Sequence, residues 1–345
     1  MNYMGIDHHK QGSHVTVLDE GGKDVKVGWV RNTNRDMEDF LEELEDEIKA
    51  VVEAGRSSYA MVDLLEDLGI EVAVAHPSDV KAIAKAKIKT DKRDSRILAH
   101  LLRANLIPAV YRRSGRNRQE QRVMRQRMFF VRMMTRVKNR IKALLAQQRE
   151  EVQRELEKVR DIFTKKGVEV VKEIELGGTD KQLLEEMFEF YWHLKERIKR
   201  SDEMMLDLYK RLPEAKIIDT APGFDKFFSV LVATEIGDVR RFESDKKLHS
   251  YAGVIPSTHS SGERTYHGKI IKQGNRWLRW AVIEAVQPAC KKDFDIRRFY
   301  QKHAKRKGHN AAKVATARRL LTIIYKMLKE RRDFIPYKRD KSAAL

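Results

Sequence analysis

Apolar residues in the first hundred positions change period from two to about 3.6 and back, which limits this stretch to strands and helices packed in layers. Residues 2–6 make a short apolar run and residues 14–18 a second. The Asp19-Glu20-Gly21-Gly22 turn leads into a third, residues 25–30, a hairpin pattern with glycine at the turn. Met37, Phe40, Leu41, Leu44 and Ile48 then recur at helical spacing, with Asn34 as the expected N-cap. Residues 50–52 form a fourth strand that ends at Glu53. A helix over residues 57–68 stops at Gly69, and residues 70–75 form a fifth strand ended by His76-Pro77. Two more helices follow, the second over residues 91–104.

Three strands, helix, strand, helix, strand, helix is the order of an RNase H-like mixed sheet with helices, assigned to residues 1–108. Asp7 then ends strand one and Glu53 ends strand four. Those strands are neighbours in such a sheet, so the two carboxylates are expected to face each other. Asp91 and Asp94 stand three apart and share one helix face. Each acid taken alone is also an ordinary strand or helix terminus. Together they form a candidate metal site: hard oxygen ligands that leave waters in place suit Mg²⁺. Two ions roughly 3.5–4 Å apart stabilise both the attacking and the leaving oxygen of a phosphodiester displacement. His8 and His9 follow the first acid. Neighbouring side chains on a strand point to opposite faces, so the pair is not expected to share a metal.

The rest of the chain is basic. Lys plus Arg is 70 against 51 Asp plus Glu, a net +19 over 345 residues. A charge of that size argues for a polyanionic partner, nucleic acid before a membrane surface. Residues 109–212 read as long helices with short breaks, an antiparallel hairpin or coiled coil. The apolar stripe there runs Met124, Met128, Val131, Met134, Val137, Ile141, Leu144. From Tyr111 to Glu150 there are 13 Lys or Arg against 2 Glu. So many uncompensated cations on one helix would repel each other without an anion nearby. Arg112, Arg113, Arg116, Arg118, Arg122, Arg125 and Arg127 are therefore candidate contacts to an RNA or DNA backbone, an ordinary solvated face being the alternative. Gly177-Gly178 breaks the second helical stretch, and Thr179 with Gln182 has the spacing of a capping box.

Residues 213–345 form a third, mostly helical region. It opens with Pro222-Gly223 ahead of an apolar helix over residues 227–236, passes through a loop-rich stretch over residues 250–274, and ends in helix again. The loop carries Ser257-Thr258-His259-Ser260-Ser261-Gly262 and then Lys272-Gln273-Gly274-Asn275-Arg276-Trp277-Leu278-Arg279. A serine beside Arg and Lys can attack phosphate if a base, a metal or cationic surroundings activate it. A plain polar loop is the other reading. Trp277 and Trp280 are expected in the core rather than as a base-stacking platform. The single Cys290 excludes an internal disulfide and fits a reducing cytoplasm. Residues 1–7 already read as a strand rather than a secretion signal, and no apolar run approaches the roughly 20 residues a bilayer crossing needs. A cytoplasmic location without a membrane partner is expected.

Taken together, Gly5-Ile6-Asp7, Glu53-Ala54-Gly55, His76-Pro77 and Lys89 through Ser95, followed by Ala221-Pro222-Gly223, Ile236-Gly237-Asp238, Arg241-Phe242, Tyr251-Ala252-Gly253 through Pro256, Ser261-Gly262 and Lys272 through Arg279, form an ordered set that spans the chain. In this set the chain resembles the DEDD-type insertion-sequence transposases, the family that includes the Piv DNA invertase. The resemblance implies a RuvC-like N-terminal domain with a Mg²⁺ site at Asp7, Glu53, Asp91 and Asp94. It implies a serine nucleophile in the C-terminal domain, placed at Ser261 because the family's serine directly precedes a glycine, with Ser260 as the fallback. It further implies a covalent phosphoserine intermediate, DNA partners at element ends and target, a structured guide RNA, and a homo-oligomer, dimer or tetramer. Lys272, Arg276 and Arg279 join the candidate nucleic-acid contacts. A Holliday-junction resolvase or nuclease of the same fold, with water as nucleophile, is the alternative. One departure stands out: relatives often carry a second glycine shortly after Pro-Gly, where this chain has Phe224-Asp225. That counts against a helix-hairpin-helix contact of Pro222-Gly223 with phosphate and leaves the following helix N-terminus as a place to hold an anion.

Overall fold

The computed structural model describes residues 1–84, 90–261, 264–271 and 273–336, with the backbone alone for 258–261, 264–267 and 269. The chain divides into two compact units, Met1–Arg113 and Ser114–Leu345.

The first unit is built on five strands: β1 (Asn2–His8), β2 (Gly12–Leu18), β3 (Asp24–Arg31), β4 (Ile48–Glu53) and β5 (Glu71–Ala75). They lie in the order β3-β2-β1-β4-β5. The first three pair antiparallel, as the glycine turn predicts, whereas β4 and β5 run parallel to β1. Helices α1 (Asn34–Leu41), α2 (Ser58–Asp67), α3 (Pro77–Ile83) and α4 (Asp91–Arg103) complete the unit. Strand alternation sorts the two faces. Met4, Ile6, Ala50 and Val52 enter one core with Met37, Met61 and Leu65 from α1 and α2. Val51 enters the other, with Leu98 and Leu101 from α4.

Two local expectations fail for identifiable reasons. The first helix ends at Leu41 rather than continuing to Ile48, which starts β4 opposite Asn2. Glu42, Glu43, Glu45, Asp46 and Glu47 follow Leu41, and acids at a helix C-terminus oppose its dipole. The cap of α1 is Thr33, whose hydroxyl accepts from the Asp36 N–H at 3.1 Å, not Asn34.

In the second unit, α5 (Gly115–Leu145) and α8 (Gly178–Arg211) form an antiparallel pair. Met124 and Met128 share a buried cluster with Met205 and Leu208. Val137, Ile141 and Leu145 meet Leu184, Tyr191 and Leu194. Each fully buried side chain of this size contributes about 1.5–3 kcal/mol. Short helices α6 (Glu150–Glu157) and α7 (Lys165–Glu173) join the pair. Helix α8 starts at Gly178 with Gly177 as an N-cap that makes no side-chain bond, so the Thr179–Gln182 capping box does not form.

The remaining elements are α9 (Pro213–Asp219), α10 (Lys226–Ile236), a 3₁₀ turn at Val239–Arg241, α11 (Asp245–Ala252), β6 (Pro256–Ser261), β7 (Arg264–Ile270), α12 (Arg276–Glu284), α13 (Val286–Lys292), α14 (Phe294–Lys307) and α15 (His309–Glu330). Val230, Leu231, Ala281, Leu320 and Ile324 lie in their common core. The stretch expected to be loop over 250–274 holds the β6–β7 hairpin. Its strands are rich in Ser, Thr and His and lack the apolar alternation that marks a half-buried strand. Trp277 is buried, and Trp280 packs on Phe228 with ring centroids 5.3 Å apart, as expected of core residues.

Candidate active site and nucleic-acid contacts

Gly5 fixes how closely α4 crosses β1. A methyl group there would overlap the Ser95 carbonyl oxygen and the Ala99 nitrogen of α4. With only hydrogen at that position, helix and strand touch backbone to backbone. Ser95 pins the crossing from the helix side. Its hydroxyl lies 2.8 Å from Thr16 Oγ1 and 3.0 Å from His14 Nδ1, both on β2. Burial holds His14 below its ordinary imidazole range, although the Asp91 charge pulls the other way.

This crossing sets the acids. Met4 and Ile6 point into the core under α1 and α2, so Gly5 and Asp7 take the α4 face. Gly5 pairs with Val51 and Ile6 with Val52, and one position further along the two strands stand Asp7 and Glu53. Asp91 opens α4, whose N-cap Thr90 accepts from the Arg93 N–H, and Asp94 lies one turn in. Acids in a first helical turn are stabilised by the helix dipole.

Asp7 and Asp91 converge on His9. The His9 Nε2 lies 3.4 Å from Asp7 Oδ2 and 3.3 Å from Asp91 Oδ2. One ligand atom from each of the three lies within 4.8 Å of the others. Two carboxylates and an imidazole are a donor set that a divalent cation can take. Glu53, at the end of β4, and Asp94, in the first turn of α4 with Asp91, are not part of this three-residue group. His9 is the residue that sequence reasoning missed. The rule that separates His8 from His9 also puts Asp7 and His9, two apart, on one side. His8 turns away, its Nδ1 3.0 Å from Ser13 Oγ, and burial lowers its pKa ahead of the neighbouring His9 charge.

The candidate serines lie on β6, where Ser260 pairs with Thr265 and Ser261 with Arg264. Their side chains lie outside the described residues, as does Lys272. Arg276 and Arg279 open α12. The Arg276 guanidinium sits 5.3 Å from the Trp277 ring centroid, and Arg279 Nη1 donates to the Ala252 carbonyl at 3.3 Å. The helix N-terminus after Pro222-Gly223 is filled by its own cap: the Asp225 carboxylate accepts from the Phe228 N–H at 2.8 Å. That acid occupies the place an anion would take.

The basic stretch, α5 with Arg112 and Arg113 just before it, carries more internal compensation than its composition suggests. Arg112 pairs with Glu66, Arg116 with Glu120, Arg125 with Glu235 and Arg127 with Asp202. Arg113 is buried, Arg118 is half-buried and Arg122 is exposed. Three of the four acids lie more than 40 residues away in sequence from their arginines, which is why counting charges along this stretch missed them.

Two family models match the chain. A DEDD transposase model of the IS110 type, described as transposase, covers residues 4–149. A second, described as transposase IS116/IS110/IS902 family, covers residues 215–301. A putative transposase of Sinorhizobium fredii is 26% identical over 82% of this chain and 70% of its own length. A probable family 20 transposase of Pseudomonas aeruginosa is 25% identical over 96% of this chain and 94% of its own. The pilin gene-inverting protein of Moraxella bovis is 32% identical over 41% of this chain and 46% of its own. With an acid-bearing mixed sheet and a helical C-terminal half that each match a transposase model, the chain is a transposase, an enzyme class that cuts and transfers DNA strands. It belongs to the IS110/IS116 family. Among the described residues, no helix is long and apolar enough to cross a membrane.

Proposed function

We propose that this transposase cleaves and rejoins DNA with two sets of groups: a Mg²⁺-dependent carboxylate site on an RNase H-like sheet, and a serine nucleophile on the β6–β7 hairpin. The observation that carries the reading is the convergence of Asp7 and Asp91, from β1 and α4, on His9 just past the end of the central strand. The strand order β3-β2-β1-β4-β5, with three antiparallel strands followed by two parallel ones, supports the RNase H-like assignment. Domain limits of 1–108, 109–212 and 213–345 follow the same reading.

Asp7, Glu53, Asp91 and Asp94 would hold the ions, with His9 Nε2 as an additional donor. Bound Mg²⁺ supplies positive charge for the phosphate oxygens and lowers the barrier to attack and departure. Ser261, or Ser260 beside it, attacks phosphorus. The Oγ–P bond forms, one P–O bond of the DNA strand breaks, and the freed sugar oxygen takes up a proton while the serine gives one up. The reverse step, with a different strand end as attacking hydroxyl, rejoins DNA without net loss of phosphodiester bonds. The +19 charge gives DNA and a structured guide RNA an electrostatic landing surface. A homo-oligomer, dimer or tetramer, would bring two DNA partners together.

The test is to trap the adduct. Wild-type protein, a labelled duplex of the element's own ends and RNA transcribed from the flanking DNA are incubated with Mg²⁺ and resolved under denaturing conditions. A covalent protein–DNA band that maps to Ser261 and is lost in Ser261→Ala and in Asp7→Ala supports the reading. Continued cutting by Ser261→Ala without an adduct would assign the attack to water and overturn the serine.

A further inference from the structure

Glu235 lies near the C-terminal end of α10 and is fully buried. A buried carboxylate is tolerated only when partners replace the water it has lost. Gln121 Nε2 donates to its Oε2 at 2.7 Å. Arg125 donates through Nε to Oε1 at 3.0 Å and through Nη2 to Oε2 at 3.1 Å. These two residues belong to α5, 114 and 110 residues away along the chain. Asn275 Nδ2 donates to Oε2 at 2.7 Å. That nitrogen also lies 3.1 Å from the Tyr251 hydroxyl, which donates to the Glu235 carbonyl at 3.3 Å.

Tyr251 and Asn275 bracket the β6–β7 hairpin. The Asn275 N–H donates to the Tyr251 carbonyl at 2.6 Å, and the Ile271 N–H to the Ile255 carbonyl at 2.9 Å. Where the two feet approach, a methyl group on Gly274 would overlap the Gly253 nitrogen. Asn275 is also the N-cap of α12. Because Nδ2 is committed to Glu235, Oδ1 faces the helix and accepts from Trp277 N at 3.0 Å and Leu278 N at 3.1 Å. One carboxylate thus ties together the hairpin's entry, its exit, the start of α12 and the arginine-rich helix.

We propose that Glu235 is a positioning residue: it clamps both feet of the serine-bearing hairpin to α5 and sets the direction in which α12 starts. Its importance for strand cleavage rests on the serine reading, whereas the clamp itself rests on the geometry alone.

The test uses the full chain. Glu235→Gln keeps the shape but turns one acceptor into a donor that faces other donors, and it leaves Arg125 without its counter-charge. Hydrogen exchange read by mass spectrometry should show peptides over residues 250–278 exchanging about tenfold faster or more in Glu235→Gln, with residues 130–190 unchanged. Adding Arg125→Gln removes the mismatch and should restore most of the protection. Asn275→Asp keeps the capping oxygen, loses the Nδ2 donor and sets two carboxylates against each other. It should loosen the same peptides, and it stands in if Glu235→Gln does not fold. Equal exchange over 250–278 in wild type and variants overturns the proposal, as does acceleration spread evenly over residues 114–336. In the adduct assay, Glu235→Gln should lower the trapped yield about tenfold or more while Asp7-dependent Mn²⁺ binding is unchanged. Absence of any wild-type adduct would sink the serine reading and leave the exchange result to decide the clamp.

Discussion

His9 Nε2 stands 3.3 Å from Asp91 Oδ2, so an imidazole just beyond one strand meets a carboxylate at the start of a distant helix. Asp7 completes the triangle at 3.4 Å. An imidazole nitrogen among carboxylate oxygens shifts preference toward the softer Mn²⁺ relative to Mg²⁺. His9→Ala is expected to weaken Mn²⁺ binding about tenfold and Mg²⁺ binding less, measured by titration calorimetry on the full chain. Spin-echo spectra of the Mn²⁺ form should show nitrogen coupling in wild type and none in the variant. Unchanged Mn²⁺ affinity with the coupling retained would remove His9 from the site.

The close crossing at Gly5 makes a second prediction. A methyl group at this position meets α4 backbone rather than a movable side chain end. Gly5→Ala should therefore push α4 away and cost about 1–3 kcal/mol, seen as a lower urea midpoint. Metal affinity should fall with it, because Asp91 rides on the displaced helix. Full stability in Gly5→Ala would show that β1 and α4 approach less closely than described.

These two sites also show what the sequence revealed and what it concealed. The places of Asp7 and Glu53 at strand ends and of Asp91 and Asp94 in a first helical turn were legible because short apolar runs and helical periodicity mark such ends. The order of strands and helices along the first unit was legible from the alternation of periods. Ile48 misled because its helical spacing from Leu44 was accidental, and the acids between Leu41 and Ile48 decided the boundary. The β6–β7 hairpin was illegible because its pairing is made by backbone between polar residues. Glu235 looked like any acid on an apolar helix. Its partners Gln121, Arg125 and Asn275 are distant in sequence, and no local rule joins them.

His249 makes the second unit sensitive to acid. Its Nε2 lies 3.1 Å from Thr322 Oγ1, whose hydroxyl donates to Asp245 Oδ2 at 2.7 Å, so Nε2 carries the proton in the neutral ring. Burial holds its pKa below the ordinary 6.5; Asp245 opposes that shift and Arg318 adds to it. The unfolded chain therefore takes up a proton more readily than the folded one. The stability this group contributes is complete above about pH 6.5 and falls as pH drops through that value toward the lower folded pKa. Urea midpoints at pH 7.5 and 5.5 should differ more for wild type than for His249→Gln. Comparison with the variant separates His249 from His8, His14 and His100, which burial also holds low. Equal slopes would mean that His249 titrates alike in both states.

The arginines of α5 should separate into two kinds of variant. Arg127 pairs with Asp202, and its guanidinium lies 4.4 Å from the Phe227 ring centroid. Its removal takes away an ion pair and a packed cation together, so Arg127→Gln should lower the thermal midpoint. Arg122 is exposed, where a cation adds little to folding and is available to a phosphate. Arg122→Gln should leave the thermal midpoint where it is and weaken binding to a labelled duplex of any sequence. The slope of log affinity against log salt should become shallower by about 0.9, one phosphate contact's worth of released counterion. A thermal shift without a change of salt slope in Arg122→Gln would place that residue among the structural arginines instead. The same pair of measurements on Arg276, at the start of α12, would show whether the basic footprint extends to the elements beside the β6–β7 hairpin.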